Sequence, residues 1–153
     1  MGSELPRERY RYTLHREWNG GDCGVVCWVM LNPSTADAVR DDPTIRRCIG
    51  FSRRWGFNSL VVVNLFALRA TDPNVLLLDA NPVGPGNDDA IRHAAQEASL
   101  IVAAWGAHPA MVRGRRDQRV RDLCAALHCL GTTRGGHPRH PLRLRADTQL
   151  VPL

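Results

Sequence analysis

The stretch from Val25 to Asp37, VVCWVMLNPSTAD, constrains the fold more than any other part of the chain. Apolar and aromatic side chains run almost unbroken to Leu31. The character then changes at once to Asn32, Pro33, Ser34, Thr35 and Asp37. A near-continuous apolar run with a small polar ending fits a central strand leading into a turn. In open α/β sheets the ligand crevice lies beyond the carboxyl ends of such strands, so Asn32 to Asp42 is the first place to look for function.

The rest of the chain supplies neighbours for that strand. Tyr10 to Trp18, YRYTLHREW, alternates apolar and polar side chains and predicts an edge strand with one covered face. Asn19-Gly20-Gly21-Asp22 signals a tight turn, so this strand and the run from Gly24 to Leu31 are expected to form a hairpin. Asp42-Pro43 marks a helix start. Ile45, Cys48, Ile49 and Trp55 fall on its apolar face, Arg46, Arg47, Arg53 and Arg54 on its polar side, and Gly56 ends it. Ser59 to Leu65, SLVVVNL, has the β-branched character of a buried parallel strand.

Phe66 to Pro85 is a long connection broken by Pro73 and Pro82, with a short helical turn over Asn74 to Leu78; loops of this length in compact domains are often functional. Asn87 is expected to cap a helix running through Ala98. Leu100 to Trp105 predicts a third buried strand, ended by Gly106. Pro109 opens a helix toward Leu127 that Gly114 weakens. A short strand at His128 to Leu130 and a tail strand around Leu142 to Arg145 complete the sheet. The alternation of strands and helices predicts a single three-layer α/β/α domain over residues 1–153, with a mostly parallel central sheet and a flexible segment at 1–9. Neither GxGxxG nor GxxxxGK follows the first core strand, which argues against a dinucleotide fold and a nucleotide-triphosphate hydrolase.

No apolar run approaches membrane-span length, and the charged start MGSELPRERYRY lacks a signal-peptide core. Cys23, Cys27, Cys48, Cys124 and Cys129 show no disulfide spacing. Together these features predict a cytoplasmic protein with reduced, mostly buried thiols and no membrane partner. The net charge is +5 and lysine is absent, so every basic residue is arginine. The guanidinium fork suits phosphate and base edges, which favours nucleic acid or a nucleotide as partner. A GC-rich coding bias produces the same composition without any partner. Nothing in the sequence specifies an oligomeric state.

Three polar clusters fall at the expected carboxyl ends of strands: Asn32-Pro33-Ser34 with Asp37, Asp41 and Asp42; Asn64 with Arg69 and Asp72; and Thr132 to Pro141, TTRGGHPRHP. Each has a purely structural alternative. Asn32 caps a turn, Asn64 satisfies a strand end, and Asp41 and Asp42 favour the positive end of a helix. No HExxH is present and Cys23 and Cys27 are not in a zinc knuckle, so neither metal nor other cofactor is expected. No cysteine falls in the three clusters, and Ser34 follows proline rather than the glycine of a nucleophile elbow. The basic run Arg113 to Arg121 reads either as a phosphate-binding surface or as a solvated helix face. Arg69, Arg134 and Arg139, in the site loops, are better placed for ligand contact.

At MLNPSTAD, RRCIGFSRRWGF, VVNLFALRATDP, GPGND, AAWG and GHPRHPLRL the chain resembles a bacterial family of unknown function, domain-of-unknown-function family 1643. More distantly it is similar to the uracil-DNA glycosylase superfamily, at Met30-Leu31-Asn32-Pro33 and at His137-Pro138 and His140-Pro141. That second resemblance implies a uracil-DNA glycosylase-like α/β/α fold. It also implies hydrolysis of the N-glycosidic bond of uracil or another modified base, as in base-excision DNA repair. On it, Asn32 places the attacking water and either His137 or His140 stabilises the leaving base. Asn64 reads the base edge and Phe66 is the candidate stacking ring. Pro33, Ser34, Asp37 and Arg69 complete the ligand set, with Arg134 and Arg139 on phosphate. Three departures stand out: Ser34 replaces the expected glycine, no serine follows either His-Pro pair, and no DNA-inserting loop is recognisable. They keep open a non-catalytic nucleic-acid or nucleotide-binding protein, or an enzyme acting on a small nucleotide.

Overall fold

The computed structural model describes residues 8–153. Most of the flexible segment expected at 1–9 therefore lies outside the described residues. In chain order the elements are β1 (Leu14–Glu17), β2 (Asp22–Met30), α1 (Pro43–Arg54), β3 (Phe57–Asn64), α2 (Val75–Leu78), α3 (Asn87–Glu97) and β4 (Leu100–Ala103). A 3-10 turn (Pro109–Arg115), α4 (Arg116–Leu123), β5 (Leu127–Cys129) and β6 (Val151–Pro152) follow. The strands form one sheet in the order β1-β3-β2-β4-β5-β6. The four central strands are parallel, and the two edge strands pair antiparallel to their neighbours.

The apolar run of β2 sits at the centre because both of its faces are covered. Val26, Trp28 and Met30 point to one layer, where they meet Ile45, Cys48 and Phe51 of α1. Cys27 and Val29 point to the other, with Ile91, Ala94 and Ala95 of α3, Val120 of α4 and Cys124 just after it. The architecture is thus a mostly parallel sheet flanked by helices on both faces. Each fully buried aliphatic or aromatic side chain in these layers contributes about 1.5–3 kcal/mol. The one polar atom Trp28 brings into the core is satisfied in series: its Nε1–H donates to Ser52 Oγ (3.0 Å), whose hydroxyl donates to the Cys48 carbonyl (2.8 Å).

Helix α1 forms as its sequence dictates. The Asp42 carboxylate accepts from the Ile45 N–H (2.8 Å), Pro43 occupies the first position, and Gly56 leaves the helix at φ +89°. A second glycine matters for the long connection. Gly84 lies at φ +90°, and a Cβ there would stand 3.1 Å from the rings of Tyr10 and Tyr12. That approach seats the loop against the segment preceding β1.

Four expectations need correction. β1 does not form a hairpin with β2; it pairs with β3, Leu14 opposite Val62, and the Gly20-Gly21 turn carries the chain past β3 to β2. No strand forms at Leu142 to Arg145: Arg47 of α1 takes the carbonyls of Pro141 and Leu144, drawing that backbone onto the helix, and Val151–Pro152 closes the sheet edge. The helix from Pro109 is divided outright, because Gly114 and Arg115 adopt φ +60° and +56°. Asn87 is not a cap. It is fully buried at the first position of α3, and its Nδ2 donates to the carbonyls of Asn64 (2.9 Å) and Leu65 (3.1 Å).

Candidate functional site

The chain passes from β2 to β3 on one side of β2 and then crosses to β4 on the other. The carboxyl end of β2 is therefore the point where the winding reverses, and a crevice opens there in sheets of this kind. A cavity of about 400 Å³ occupies this position. Small-molecule sites run to about 300–1,000 Å³, so the volume is sufficient for a ligand. Asn32 and Ser34 reach it from the end of β2, Asn64 from β3, Trp105 from just beyond β4, and His140 from the C-terminal loop. A second cavity of about 430 Å³, lined by Arg139, shares Gly106, Ala107, His140 and Leu142 with the first. His140 thus stands between the two.

Asn64 is the unusual member. It is 3% exposed, yet among the described residues its side-chain amide has no hydrogen-bond partner. Its main chain, by contrast, is firmly held: Asn87 donates to the Asn64 carbonyl, and Arg116 Nε joins Asn87 on the Leu65 carbonyl (2.6 Å). Buried amides almost always find partners, because leaving one unpaired costs about 1–3 kcal/mol. The Asn64 amide is not one of the sealed, unpaired polar groups, as Asn87 Oδ1 and Trp105 Nε1 are; it opens onto the cavity, where water or a ligand can bond it.

Asn32 is used differently. Its Nδ2 donates to the carbonyls of Pro33 (3.0 Å) and Ala70 (2.8 Å), tying the turn after β2 to the loop after β3. Both amide hydrogens are thereby engaged, and Oδ1 is the atom left to accept from a ligand or water.

The neutral His140 ring has a defined tautomer. The Leu142 N–H donates to Nδ1 (3.2 Å), so Nε2 carries the proton. Partial desolvation lowers its pKa below the ordinary histidine value of 6.5, against the upward pull of the Asp42 carboxylate. The ring is neutral at pH 7, with Nε2–H as a donor. His108, also on the cavity wall, accepts at Nδ1 from the Ala110 N–H (3.0 Å) and donates through Nε2 to Asn74 Oδ1 (3.0 Å). Its hydrogen-bonding capacity is spent within the protein.

The remaining sequence candidates are divided by position. Pro33 and Ser34 line the cavity. Arg69 lies beside it, immediately before Ala70 and Thr71 of the wall. Asp37 does not line it; its Oδ1 accepts from the Val39 and Arg40 amides and shapes the loop before α1. Phe66 is fully buried and faces another cavity, with Pro82 and Arg116, so it is not available as a stacking ring here. His137 sits in a small hairpin closed by the Thr133 N–H on its carbonyl (2.8 Å), and Arg134 is exposed in the same turn; neither lines the cavity. The Thr132–Pro138 bridge explains the split, because it brings only the segment after Pro138 back to the strand ends.

Sequence reasoning missed Arg11 and Trp105. Trp105 borders the cavity just beyond β4, although its ring is 2% exposed and packs in the hydrophobic layer; the AAWG segment was its signal. Several arginines of the Arg113 to Arg121 run bond within the protein, while Arg115 and Arg119 remain exposed. Arg113 donates to the carbonyls of Leu76 and Asp79, Arg116 and Arg119 hold Asp88, and Arg121 lies over the Trp105 ring, 5.9 Å from its centroid. Burial pushes the Cys124 thiol up to about 11 and those of Cys27 and Cys48 higher, so these three are protonated and inert at neutral pH. Among the described residues no group of three or more His, Cys, Asp or Glu side chains is arranged to hold a metal ion, and no helix is long and apolar enough to cross a membrane.

Fold and site together define a mostly parallel α/β protein with a ligand-sized cavity at the reversal point of its sheet. The chain belongs to the family described as "Protein of unknown function (DUF1643)", whose model matches residues 11–142. No curated protein and no solved structure matches it.

Proposed function

We propose that the cavity binds a nucleobase and that the protein hydrolyses its N-glycosidic bond, in the manner of a uracil-DNA glycosylase. The observation that carries this reading is Asn64: a nine-tenths-buried amide, held by its backbone, with both a donor and an acceptor unspent at the cavity wall. A carboxamide is the side chain that pairs bidentately with a base edge. Trp105 borders the same cavity, beyond the end of β4.

The chemistry needs two further groups. As the glycosidic bond breaks, its electron pair leaves on the base, and a donor fixed near a base carbonyl oxygen stabilises that charge. The Nε2–H of neutral His140 is such a donor. The cationic sugar is then captured by water, which forms the new C–O bond; the proton the water loses passes through solvent to the departed base anion, giving the neutral base. Asn32 Oδ1 accepts from that water and holds it in place, which is positioning rather than strong base catalysis. The mostly parallel sheet with helices on both faces is compatible with the superfamily's architecture.

A base-release screen over single- and double-stranded DNA, RNA and free nucleotides carrying uracil, deaminated or alkylated bases tests the proposal. Release from at least one substrate is expected. His140→Ala should slow it about 100-fold or more, the cost of a lost preorganised donor. Asn32→Ala should also lose rate, and Asn64→Ala should chiefly relax base choice. Full activity of His140→Ala on an identified substrate would remove the leaving-group assignment, and no release from any substrate would remove the hydrolase reading.

A further inference from the structure

We infer that Arg11 and Arg69 form a phosphate subsite at the edge of the cavity. The inference deepens the nucleobase reading, on which it rests for the identity of the group carrying the phosphate. Arg11 lies in the segment before β1 and Arg69 in the loop after β3, and a β-bridge between Tyr10 and Leu68 joins the two segments. The Arg11 N–H donates to the Ala67 carbonyl (2.9 Å) and the Arg69 N–H to the Arg9 carbonyl (3.0 Å), which fixes the register. Side chains alternate along extended chain, so the residues one step beyond Tyr10 and Leu68 share the opposite face of this ribbon. Tyr10 and Leu68 pack into the hydrophobic layer that contains Leu65 and Leu76. Arg11 forms part of the cavity wall, and Arg69, diagonal to it across the ribbon and just before Ala70 of the wall, shares its face; Arg9, opposite Arg69, is instead drawn to Asp79 and the Tyr10 ring.

Their internal bonding does not account for them. Each guanidinium carries five N–H donors. Among the described residues, Arg11 donates from Nη1 to the Ala36 carbonyl, while the Arg69 side chain has no acceptor. The Nε–H groups of both are buried without a partner. Asp42, the nearest carboxylate of the wall, has its oxygens committed to the Ile45 and Ala36 amides and the Thr35 hydroxyl. Desolvation lowers the Arg11 pKa most, and the charge of Arg69 lowers it further, while Asp42 and Asp37 oppose both. Two partly buried cations held diagonally on one face of the ribbon repel one another. An anion with several acceptor oxygens relieves that repulsion and bonds both forks at once, which is the geometry arginine offers phosphate. The mouth of a base-sized cavity is where the phosphate of a bound nucleotide would lie.

Calorimetric titration with inorganic phosphate against chloride at matched ionic strength tests the subsite without any turnover. Wild type should bind phosphate. Arg69→Gln should bind it about 10-fold or more weakly, the usual cost of charge-assisted bonds. Arg69 is the primary target because it makes no internal bond whose loss would disturb folding; Arg134→Gln, in the exposed hairpin, should bind as wild type. Nucleoside 5′-monophosphates should then bind more tightly than the matching nucleosides, by a margin that Arg69→Gln abolishes. A tighter 5′-monophosphate than oligonucleotide identifies the phosphate as a monoester, and the reverse as a diester; either supports the subsite. Phosphate binding no stronger than chloride, or unchanged in Arg69→Gln, overturns it. Phosphate binding through Arg69 with no base released from any substrate leaves the subsite standing and removes the hydrolase reading; base release insensitive to Arg69 and to added phosphate does the opposite.

Discussion

Asn64→Leu separates a functional amide from a structural one. The residue is 3% exposed, its amide has no partner among the described residues, and its backbone is held independently by Asn87. A buried amide without compensation costs about 1–3 kcal/mol. Here the amide borders a cavity that water can enter, so part of that cost is already relieved and about 1 kcal/mol is the fitting figure. Leucine adds apolar volume toward open space rather than into packed core, so overpacking is small. The variant should therefore be more stable than wild type by about 1 kcal/mol, which for a domain of this size raises Tm by about 2–4 °C. Base recognition should be lost at the same time, the trade expected when a site keeps polar groups ready for a ligand. Thermal unfolding of both proteins, free of ligand, is the assay. A Tm lowered by several degrees would refute the reasoning, because it would make the amide a stabilising structural group.

Further outcomes follow from the neighbouring residues. Asn87→Ala removes two hydrogen bonds to buried carbonyls and should cost about 1–3 kcal/mol in chemical denaturation, with the larger loss where the Asn64 carbonyl has no replacement. His140 has a folded-state pKa below 6.5, so the unfolded state takes up its proton first as the solution is acidified. Its contribution makes stability fall as pH drops below 6.5 and level off beneath the folded value, a component that His140→Gln should remove from the Tm–pH curve. Base release should stay flat from neutral pH through 6.5 and decline only below it, where protonation of Nδ1 breaks the Leu142 bond that orients the ring. Burial pushes the Asp88 carboxyl upward, but the hydrogen bonds and charges of Arg116 and Arg119 outweigh it and leave the pKa below 3.8. Its stabilisation is present above 3.8 and lost as pH falls through the lower folded value, so Asp88→Asn should flatten the acid limb of a stability–pH profile.

The core of the fold was legible because it depends on local signals. The β2 run, the Asp42-Pro43 start and Gly56 stop of α1, and the β-branched β3 all read directly from neighbouring residues. Pairing was less legible. The alternation of Leu14 to Glu17 specifies a half-covered strand but not which strand covers it, and β3 rather than β2 is the partner. Side-chain amides were ambiguous for the same reason: Asn87 stands where a cap belongs, yet it serves carbonyls more than twenty residues away. In the site, Asn32, Asn64 and His140 were found because each follows a strand or a recognisable motif. Arg11 was not, since only the Tyr10–Leu68 bridge brings the segment before β1 to the cavity. The two histidines three residues apart looked equivalent in sequence, and the hairpin at Thr132–Pro138 separates them.

The central claim is that a base occupies the cavity against Asn64. Side-chain amide resonances of ¹⁵N-labelled protein test it most directly. The Asn64 pair, assigned by its absence in Asn64→Leu, is followed while free nucleobases and short oligonucleotides carrying each base on a cleavage-resistant 2′-fluoro sugar are added. At least one base should move the Asn64 amide to a saturable endpoint, together with the His140 ring and the Trp105 indole signals. Binding that saturates with the Asn64 amide unmoved, its perturbations confined to the arginines of α1 or the outer face of α4, would contradict it.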